Sequence, residues 1–127
     1  MERLTEYDKG LAFCDALGLK VYERKMQAHE GLICNRTILI DPRLSETRKA
    51  AVLAEELGHF MTSVGNIIDC RDANNSRQEA KARLWSYRRL IDPAKLAEAE
   101  AHGCCMPWEV AEYLGVDEQM LREAVER

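Results

Sequence analysis

The first 42 residues show one helical pattern of apolar residues, one short strand and one hairpin. Residues 2–17 have apolar positions at helical spacing and precede Gly18, a residue type that commonly ends helices. The stretch "LKVYE" at 19–23 predicts a short strand. Residues 31–41, "GLICNRTILID", predict a hairpin that turns at Asn35-Arg36. Its second strand should end at Asp41-Pro42, because proline cannot extend a β ladder.

From Ser45 onward the pattern predicts helices joined by loops, without strands. Ser45 is suited to cap a helix with one apolar stripe, which consists of Ala50, Leu53, Ala54, Leu57, Phe60 and Met61. The Gly-, Asn- and Asp-containing segment 63–76 predicts a loop. A second long helix, capped by Asn75 or Ser76, should run to about Leu90 and be ended by Asp92-Pro93. Shorter helical stretches follow at 93–103, 107–115 and 117–127.

The order of these elements predicts an α+β fold: a helix, a small antiparallel sheet packed on helices, and a helical C-terminal tail. The 127 residues suit one domain, 1–127, with the active-site helices ending at about residue 93 and the tail spanning about 94–127. Hydrophobic residues make up 46% and charged residues 31%, which is typical of a folded globular protein.

Charge and hydropathy exclude some classes of partner. The net charge of −4 gives no general attraction for nucleic acid. The closing stretch "PWEVAEYLGVDEQMLREAVER" has the helix, turn and helix pattern of a helix-turn-helix motif. Its last helix is acidic, however, and would be repelled by phosphates. No segment approaches the roughly 18 continuous apolar residues that span a bilayer, and the N-terminus lacks the apolar run of a signal peptide. We therefore expect a cytoplasmic protein; the sequence does not indicate its oligomeric state.

The five cysteines favour reduced thiols over a disulfide framework. Their number is odd and no two form a C-x-x-C pair. The vicinal Cys104-Cys105 pair is interpreted as two ordinary, partly buried thiols rather than as a redox device or soft-metal ligand.

One turn of the second predicted helix carries residues suited to metal chemistry. The sequence "EELGH" at 55–59 places Glu55 and His59 four positions apart, about 40° apart around the axis, so both can hold one ion. Glu56 lies about 100° from Glu55 around the helix axis and can reach a water molecule on that ion. Carboxylates and imidazoles both bind zinc, and a carboxylate-rich set shifts preference toward harder ions such as Mn²⁺. The competing interpretation is a solvated acidic helix face.

A catalytic metal site requires a third protein ligand from elsewhere. Glu79 lies near the start of the next helix, and the intervening loop permits an antiparallel return that brings it opposite His59. Glycine inside a helix costs about 1 kcal/mol relative to alanine, so Gly58 suggests a close backbone approach beside His59. His29 and His102, the other two histidines, are interpreted as surface or capping residues.

Two stretches, "TILIDPRLSETRKAAVLAEELGHFMTSVGN" and "QEAKARLWSYRRLIDP", resemble the ImmA/IrrE family of metallo-endopeptidases, which is common in bacterial phages and mobile elements. That family has a strand reading I-x-I-N/D, a helix carrying H-E-L-G-H and a helix bearing E-x-x-A-x-x-F-A. The closing "HGCCMPWEVAEYLGVDEQMLREAV" resembles the helical tail of phage members. The resemblance extends from about Lys20 to the end and implies a zincin-like fold.

The resemblance implies roles for four residues. His59 matches the second zinc histidine, Glu56 the general base and Glu79 the third ligand, while Glu55 stands where the family has its first histidine. Three alternatives remain open: Glu55 binds the metal itself, His29 or His102 supplies the missing nitrogen, or the site binds metal weakly and catalyses poorly.

The resemblance also implies a function. The chain would be a zinc metallo-endopeptidase that acts on a helix-turn-helix repressor of a phage or mobile element. The alternative is a catalytically impaired member that regulates such a repressor by binding it, as an anti-repressor.

Overall fold

The computed structural model describes residues 4–63 and 76–126. Along the chain its elements are α1 (Glu6–Ala16), β1 (Lys20–Glu23), β2 (Gly31–Cys34), β3 (Thr37–Ile40), α2 (Glu46–Thr62), α3 (Ser76–Leu90), α4 (Pro93–Ala101), α5 (Pro107–Leu114) and α6 (Glu118–Val125). This order confirms the α+β fold class. Residues 2–3 of the first predicted helix, residues 64–75 of the predicted loop and the candidate cap Asn75 lie outside the described residues.

The sheet has three strands in the order β1-β3-β2. β2 and β3 form the predicted antiparallel hairpin, with Gly31 opposite Ile40, and Asn35 takes the left-handed conformation (φ 55°) that the tight turn requires. β1 pairs with β3 in parallel, so the expectation of an antiparallel sheet is wrong for this pair. β3 lies between two strands that run in opposite directions, and it can be antiparallel to only one of them.

Side-chain caps set the starts of the first two helices. The Thr5 hydroxyl accepts from the Asp8 N–H at 3.0 Å, and the Asp8 carboxylate accepts from the Thr5 N–H at 3.1 Å. α1 therefore begins at Glu6 rather than at residue 2, and Leu4, assigned from the sequence to that helix, precedes it and is 65% exposed. Ser45 caps α2 as predicted, because its hydroxyl accepts from the Arg48 N–H at 3.2 Å.

The helix boundary at Asp92-Pro93 lies where the sequence predicts it, and the same two residues begin the next helix. α3 already ends at Leu90, and the Asp92 carboxylate accepts from the Ala94 N–H at 2.9 Å at the start of α4. Proline is favoured in the first turn, where its missing N–H leaves no hydrogen bond unmade. α5 follows the sequence expectation more closely: it opens at Pro107 and ends at Gly115, whose φ is 72°.

α2 supplies buried residues to both hydrophobic clusters of the described chain. Val52, Leu53 and Leu57 pack with α1 and the sheet, in a cluster that includes Tyr7, Cys14, Leu19, Ile33, Ile38 and Ile40. Ala51 and Ala54 pack with α3 and the tail, in a cluster that includes Tyr87, Leu90, Ile91, Ala111, Val116, Met120 and Leu121. Met61 belongs to the predicted apolar stripe but is 41% exposed at the last turn of α2. α2 is thus the element against which the rest of the fold is arranged.

The C-terminal helices pack against α2 and α3. Met120 and Leu121 of α6 are fully buried. Arg48 Nη1 donates to Asp117 Oδ2 at 3.1 Å, and the Tyr87 hydroxyl donates to Glu123 Oε2 at 3.1 Å. These polar contacts fix α6 to the first turn of α2 and to α3.

The cysteines differ from the expectation at one position. Cys34 is disulfide-bonded, so the prediction of reduced thiols is wrong there, while Cys14, Cys104 and Cys105 are free. Cys70 lies outside the described residues. Burial raises the pKa of the Cys14 thiol to about 11, which keeps it protonated and unreactive at neutral pH.

Within residues 4–63 and 76–126, none of the helices combines the length and apolar character needed to cross a bilayer.

Candidate metal centre

The candidate site lies on the C-terminal half of α2, where the apolar faces of the helix leave three polar side chains half-buried. Glu55, Glu56 and His59 have this intermediate exposure, whereas Leu57 and Gly58 between them are buried. The buried residues hold this turn rigidly between the two clusters, so the positions of the polar side chains are set by packing.

His59 and Glu79 meet across the two long helices. The distance from His59 Nε2 to Glu79 Oε1 is 3.1 Å, with side-chain exposures of 25% and 37%. Glu79 therefore lies where the antiparallel return of the chain was expected to place it. The pair is partly shielded but remains accessible from solvent.

The close approach of the helices depends on Gly58. A β-carbon at this position would overlap the backbone of Ala82, including its carbonyl oxygen. Ala82 is itself 1% exposed and lies one turn after Glu79. The absence of a side chain at Gly58 thus lets α2 and α3 approach closely enough for His59 and Glu79 to meet. The backbone that the sequence predicted to lie close to Gly58 is that of α3.

Glu55 faces a polar cavity between α2, α3 and α6. The lining side chains are those of Arg48, Glu55, Arg83, Tyr87, Gln119, Glu123 and Glu126. Burial raises the pKa of the Glu55 carboxyl above its usual value; the negative charges of Glu123 and Glu79 add to this, and the Arg48 and Arg83 guanidinium groups oppose it. The Glu55 carboxylate is therefore surrounded by both signs of charge.

Arg83 belongs to both parts of the site. Its Nη2 lies 3.8 Å from Glu79 Oε2, and its side chain lines the cavity beside Glu55. Sequence reasoning did not identify it, although the four-residue spacing from Glu79 is the spacing at which charged residues pair on a helix. Arg48, Tyr87 and Glu123 were also missed, since nothing local in the sequence indicates that three separate helices meet at Glu55.

The two other histidines lie on different elements. His29 is exposed in the connection between β1 and β2. His102 caps the end of α4, where its Nδ1 lies 2.9 Å from the Glu98 carbonyl oxygen and 3.3 Å from the Tyr113 hydroxyl. The helical tail thus orients the His102 ring, in agreement with its interpretation as a capping residue.

His59 and Glu79 fit a pair of metal ligands. In a tetrahedral zinc site with bonds of about 2.0–2.2 Å, two ligand atoms are about 3.3–3.6 Å apart, close to the 3.1 Å that separates Nε2 from Oε1. Imidazole nitrogen and carboxylate oxygen are both ordinary zinc donors. In the part of the chain that the structure describes, no three His, Cys, Asp or Glu side chains gather closely enough to hold an ion. Among the described residues, two metal-donor atoms therefore lie close together: His59 Nε2 and Glu79 Oε1.

Comparison with known proteins gives a family but no individual relative. No curated protein and no solved structure is similar enough to count as a match. The family model of the IrrE N-terminal-like domain matches residues 14–126, which is most of the chain and includes both site helices. This match confirms the resemblance found in the sequence. The chain belongs to the IrrE N-terminal-like domain family, whose members are metallopeptidases with a zincin-like fold.

Proposed function

We propose that this protein is a metal-dependent endopeptidase whose substrate is a helix-turn-helix repressor of a phage or mobile element. The observation that carries the proposal is the meeting of His59 Nε2 and Glu79 Oε1 at 3.1 Å across α2 and α3. Membership of a metallopeptidase family supports the reaction class. The choice of a repressor as substrate, and hence a cytoplasmic site of action, rests on the resemblance to phage-associated members.

The proposed ligands are His59, Glu79 and Glu55. Glu55 is one helical turn before His59, and its carboxylate has the oxygen donors that either Zn²⁺ or Mn²⁺ accepts. When bound, such an ion supplies a Lewis acid that polarises the scissile carbonyl and lowers the pKa of water toward about 7.

Glu56 is the proposed general base. It is half-buried on the same turn as Glu55 and three residues before His59, so it shares their side of α2 without being needed as a ligand. A carboxylate oxygen of Glu56 would take the proton of the attacking water and then give it to the nitrogen of the leaving amine. That transfer converts a poor leaving group into a neutral amine.

Arg83 is proposed to position Glu79. The guanidinium group is within 3.8 Å of the Glu79 carboxylate oxygen that is not the one near His59. Arg83 also places a positive charge beside Glu55 and so offsets part of the charge that a carboxylate adds in place of a neutral imidazole. We expect weaker Lewis acidity at this site than at one with two histidines.

A cleavage assay tests the proposal. Purified protein is incubated with the helix-turn-helix repressor encoded beside its gene, with Zn²⁺ or Mn²⁺ added, and products are resolved by mass spectrometry. Glu56→Gln should reduce the rate by about 10²–10⁴-fold while bound metal is unchanged. Glu100→Gln, on an exposed face of α4, is the matched control and should cut at the wild-type rate.

The alternative function, an anti-repressor that only binds, is favoured by the position of Glu55: the cavity beside it is lined by Arg48 and Arg83 but not by His59 or Glu79. The same assay separates the two. If the wild-type protein binds the repressor but never cuts it with either ion, the endopeptidase proposal fails and the binding function replaces it.

A further inference from the structure

A second groove lies away from the candidate metal centre, between α1 and the pair formed by α4 and α5. The first two turns of α2 contribute Glu46, Thr47 and Ala50 to its lining. Glu46 precedes His59 by thirteen residues, about 20 Å along the helix axis, and none of the proposed site residues lines this groove. A role for the groove is therefore independent of the proposed function.

The groove offers apolar surface at its base and edges. Tyr7 and Ala50, which are 5% and 4% exposed, line it from the core. Leu4, just before α1, and Tyr113 of α5 line its edges and are 65% and 40% exposed. An apolar side chain that entered between them would remove this surface from water.

The charged lining is predominantly negative. Four carboxylates and two lysines line the groove, which gives it a net charge of −2. Lys9 already pairs with Glu6, at 3.3 Å from Nζ to Oε1, and Lys95 is the other lysine. The remaining carboxylates are those of Glu46, Glu98 and Glu112, all exposed.

One of these carboxylates also shapes the wall. The Tyr113 hydroxyl donates to Glu98 Oε1 at 3.0 Å, which ties α5 to α4 and leaves the aromatic ring facing the groove. Glu46 and Glu112 lie on α2 and α5, so negative charge flanks the apolar surface from two elements. Such a surface complements an apolar side chain with cationic neighbours and repels phosphate groups of nucleic acids or anionic lipids.

We propose that this groove docks a basic amphipathic segment of a partner protein. An apolar side chain of the segment packs between Leu4 and Tyr113, and its lysine or arginine side chains pair with Glu46 and Glu112. The surface is an interaction site distinct from the candidate metal centre, so it can hold a protein partner whether or not the chain cuts that partner.

The test uses a short synthetic amphipathic helix of lysine and leucine, with a glutamate-leucine helix of the same pattern as its counterpart. Fluorescence anisotropy should show binding of the lysine peptide, weakening as salt is added, and no binding of the glutamate peptide. The double variant Glu46→Lys/Glu112→Lys should bind the lysine peptide about tenfold or more weakly. Asp15→Lys/Glu100→Lys makes the same change in net charge at exposed positions outside the groove, and should change affinity by less than about twofold.

A second readout locates the peptide. In ¹H–¹⁵N spectra, titration should shift the amide signals of Leu4, Thr47 and Gly115 and leave that of His59 unchanged. Equal weakening in both double variants, with thermal melts showing that both are folded, would mean that only overall charge matters and would overturn the proposal. Shifts confined to residues outside the groove, or tighter binding to anionic lipid vesicles than to the peptide, would overturn it as well.

Discussion

The backbone of Gly58 packs directly against the backbone of Ala82, with no room for a β-carbon between them. This contact joins α2 to α3 one residue before His59 and one turn after Glu79. The meeting of the two candidate ligands therefore depends on a residue that contributes no side chain.

Gly58→Ala should disturb both stability and metal binding. Alanine improves helix propensity by about 1 kcal/mol, but overpacking against a backbone costs about 1–3 kcal/mol and moves Glu79 away from His59. We expect a net loss of stability in urea unfolding and a lower affinity in zinc titrations. Gly10→Ala is the matched control: its β-carbon would lie 2.8 Å from Leu53 Cδ2, a side-chain atom that can move, so zinc affinity should not change. Equal effects of the two variants on zinc affinity would contradict this account.

The sequence predicted the elements whose ends are marked by side-chain chemistry. The Ser45 cap, the Asn35-Arg36 turn and the Gly115 stop all lie where short-range rules place them. The start of the first helix was predicted four residues too early because apolar spacing alone does not reveal the Thr5–Asp8 capping box. Asp92-Pro93 marked a boundary correctly, since the same pair that disfavours continuation of a preceding helix favours the start of a following one.

Long-range relationships were predictable only in part. Opposition of Glu79 to His59 followed from loop length and helix direction. The parallel pairing of β1 with β3 did not, because strand order depends on tertiary packing rather than on local pattern. The residues around Glu55 could not be predicted from the sequence either, because Arg48, Arg83 and Glu123 come together only when α6 packs over α2 and α3.

Glu55→His tests the role of the carboxylate in the first ligand position. If Glu55 is a ligand, imidazole should raise the affinity for Zn²⁺ relative to Mn²⁺, because nitrogen donors suit zinc better than manganese. Competitive metal titration measures this ratio, and repressor cleavage with Zn²⁺ should rise in parallel. Glu55→Gln should instead weaken binding of both ions. Unchanged affinities in both variants would show that Glu55 is not a ligand.

Asp41 should make the fold sensitive to acid. Its carboxylate accepts from the Arg43 side chain at 2.6 and 2.9 Å and from the backbone N–H groups of Arg43 and Met26, so its pKa is held well below the usual range. A depressed folded pKa gives stability that is present above the unfolded pKa of about 4 and is lost as pH falls below it.

The melting temperature of Asp41→Asn should therefore be below that of the wild type at pH 7, and the difference should shrink at pH 3. Asp15→Asn, at an exposed position of α1, should follow the wild-type curve at both pH values. If the difference in melting temperature between Asp41→Asn and wild type stayed constant across this range, the ionised Asp41 carboxylate would not be what stabilises the contacts with Arg43 and Met26.

Arg48 should stabilise the attachment of the tail. Its guanidinium group donates to Glu30 at 2.7 and 3.0 Å and to Asp117 at 3.1 Å, which connects α2 to the start of β2 and to the cap of α6. Arg48→Met should cost about 1–3 kcal/mol in urea unfolding. Arg122→Met removes an exposed pair with Glu118 and should cost less than about 0.5 kcal/mol. Similar losses would refute the special role of Arg48.

The central claim is that His59 and Glu79 hold one metal ion between them. A crystal grown with Zn²⁺ and measured on both sides of the zinc absorption edge tests it most directly. We predict a single strong anomalous peak within about 2.3 Å of both His59 Nε2 and Glu79 Oε1. A map with no peak there, while the two side chains remain paired as an imidazole–carboxylate hydrogen bond, would contradict the account.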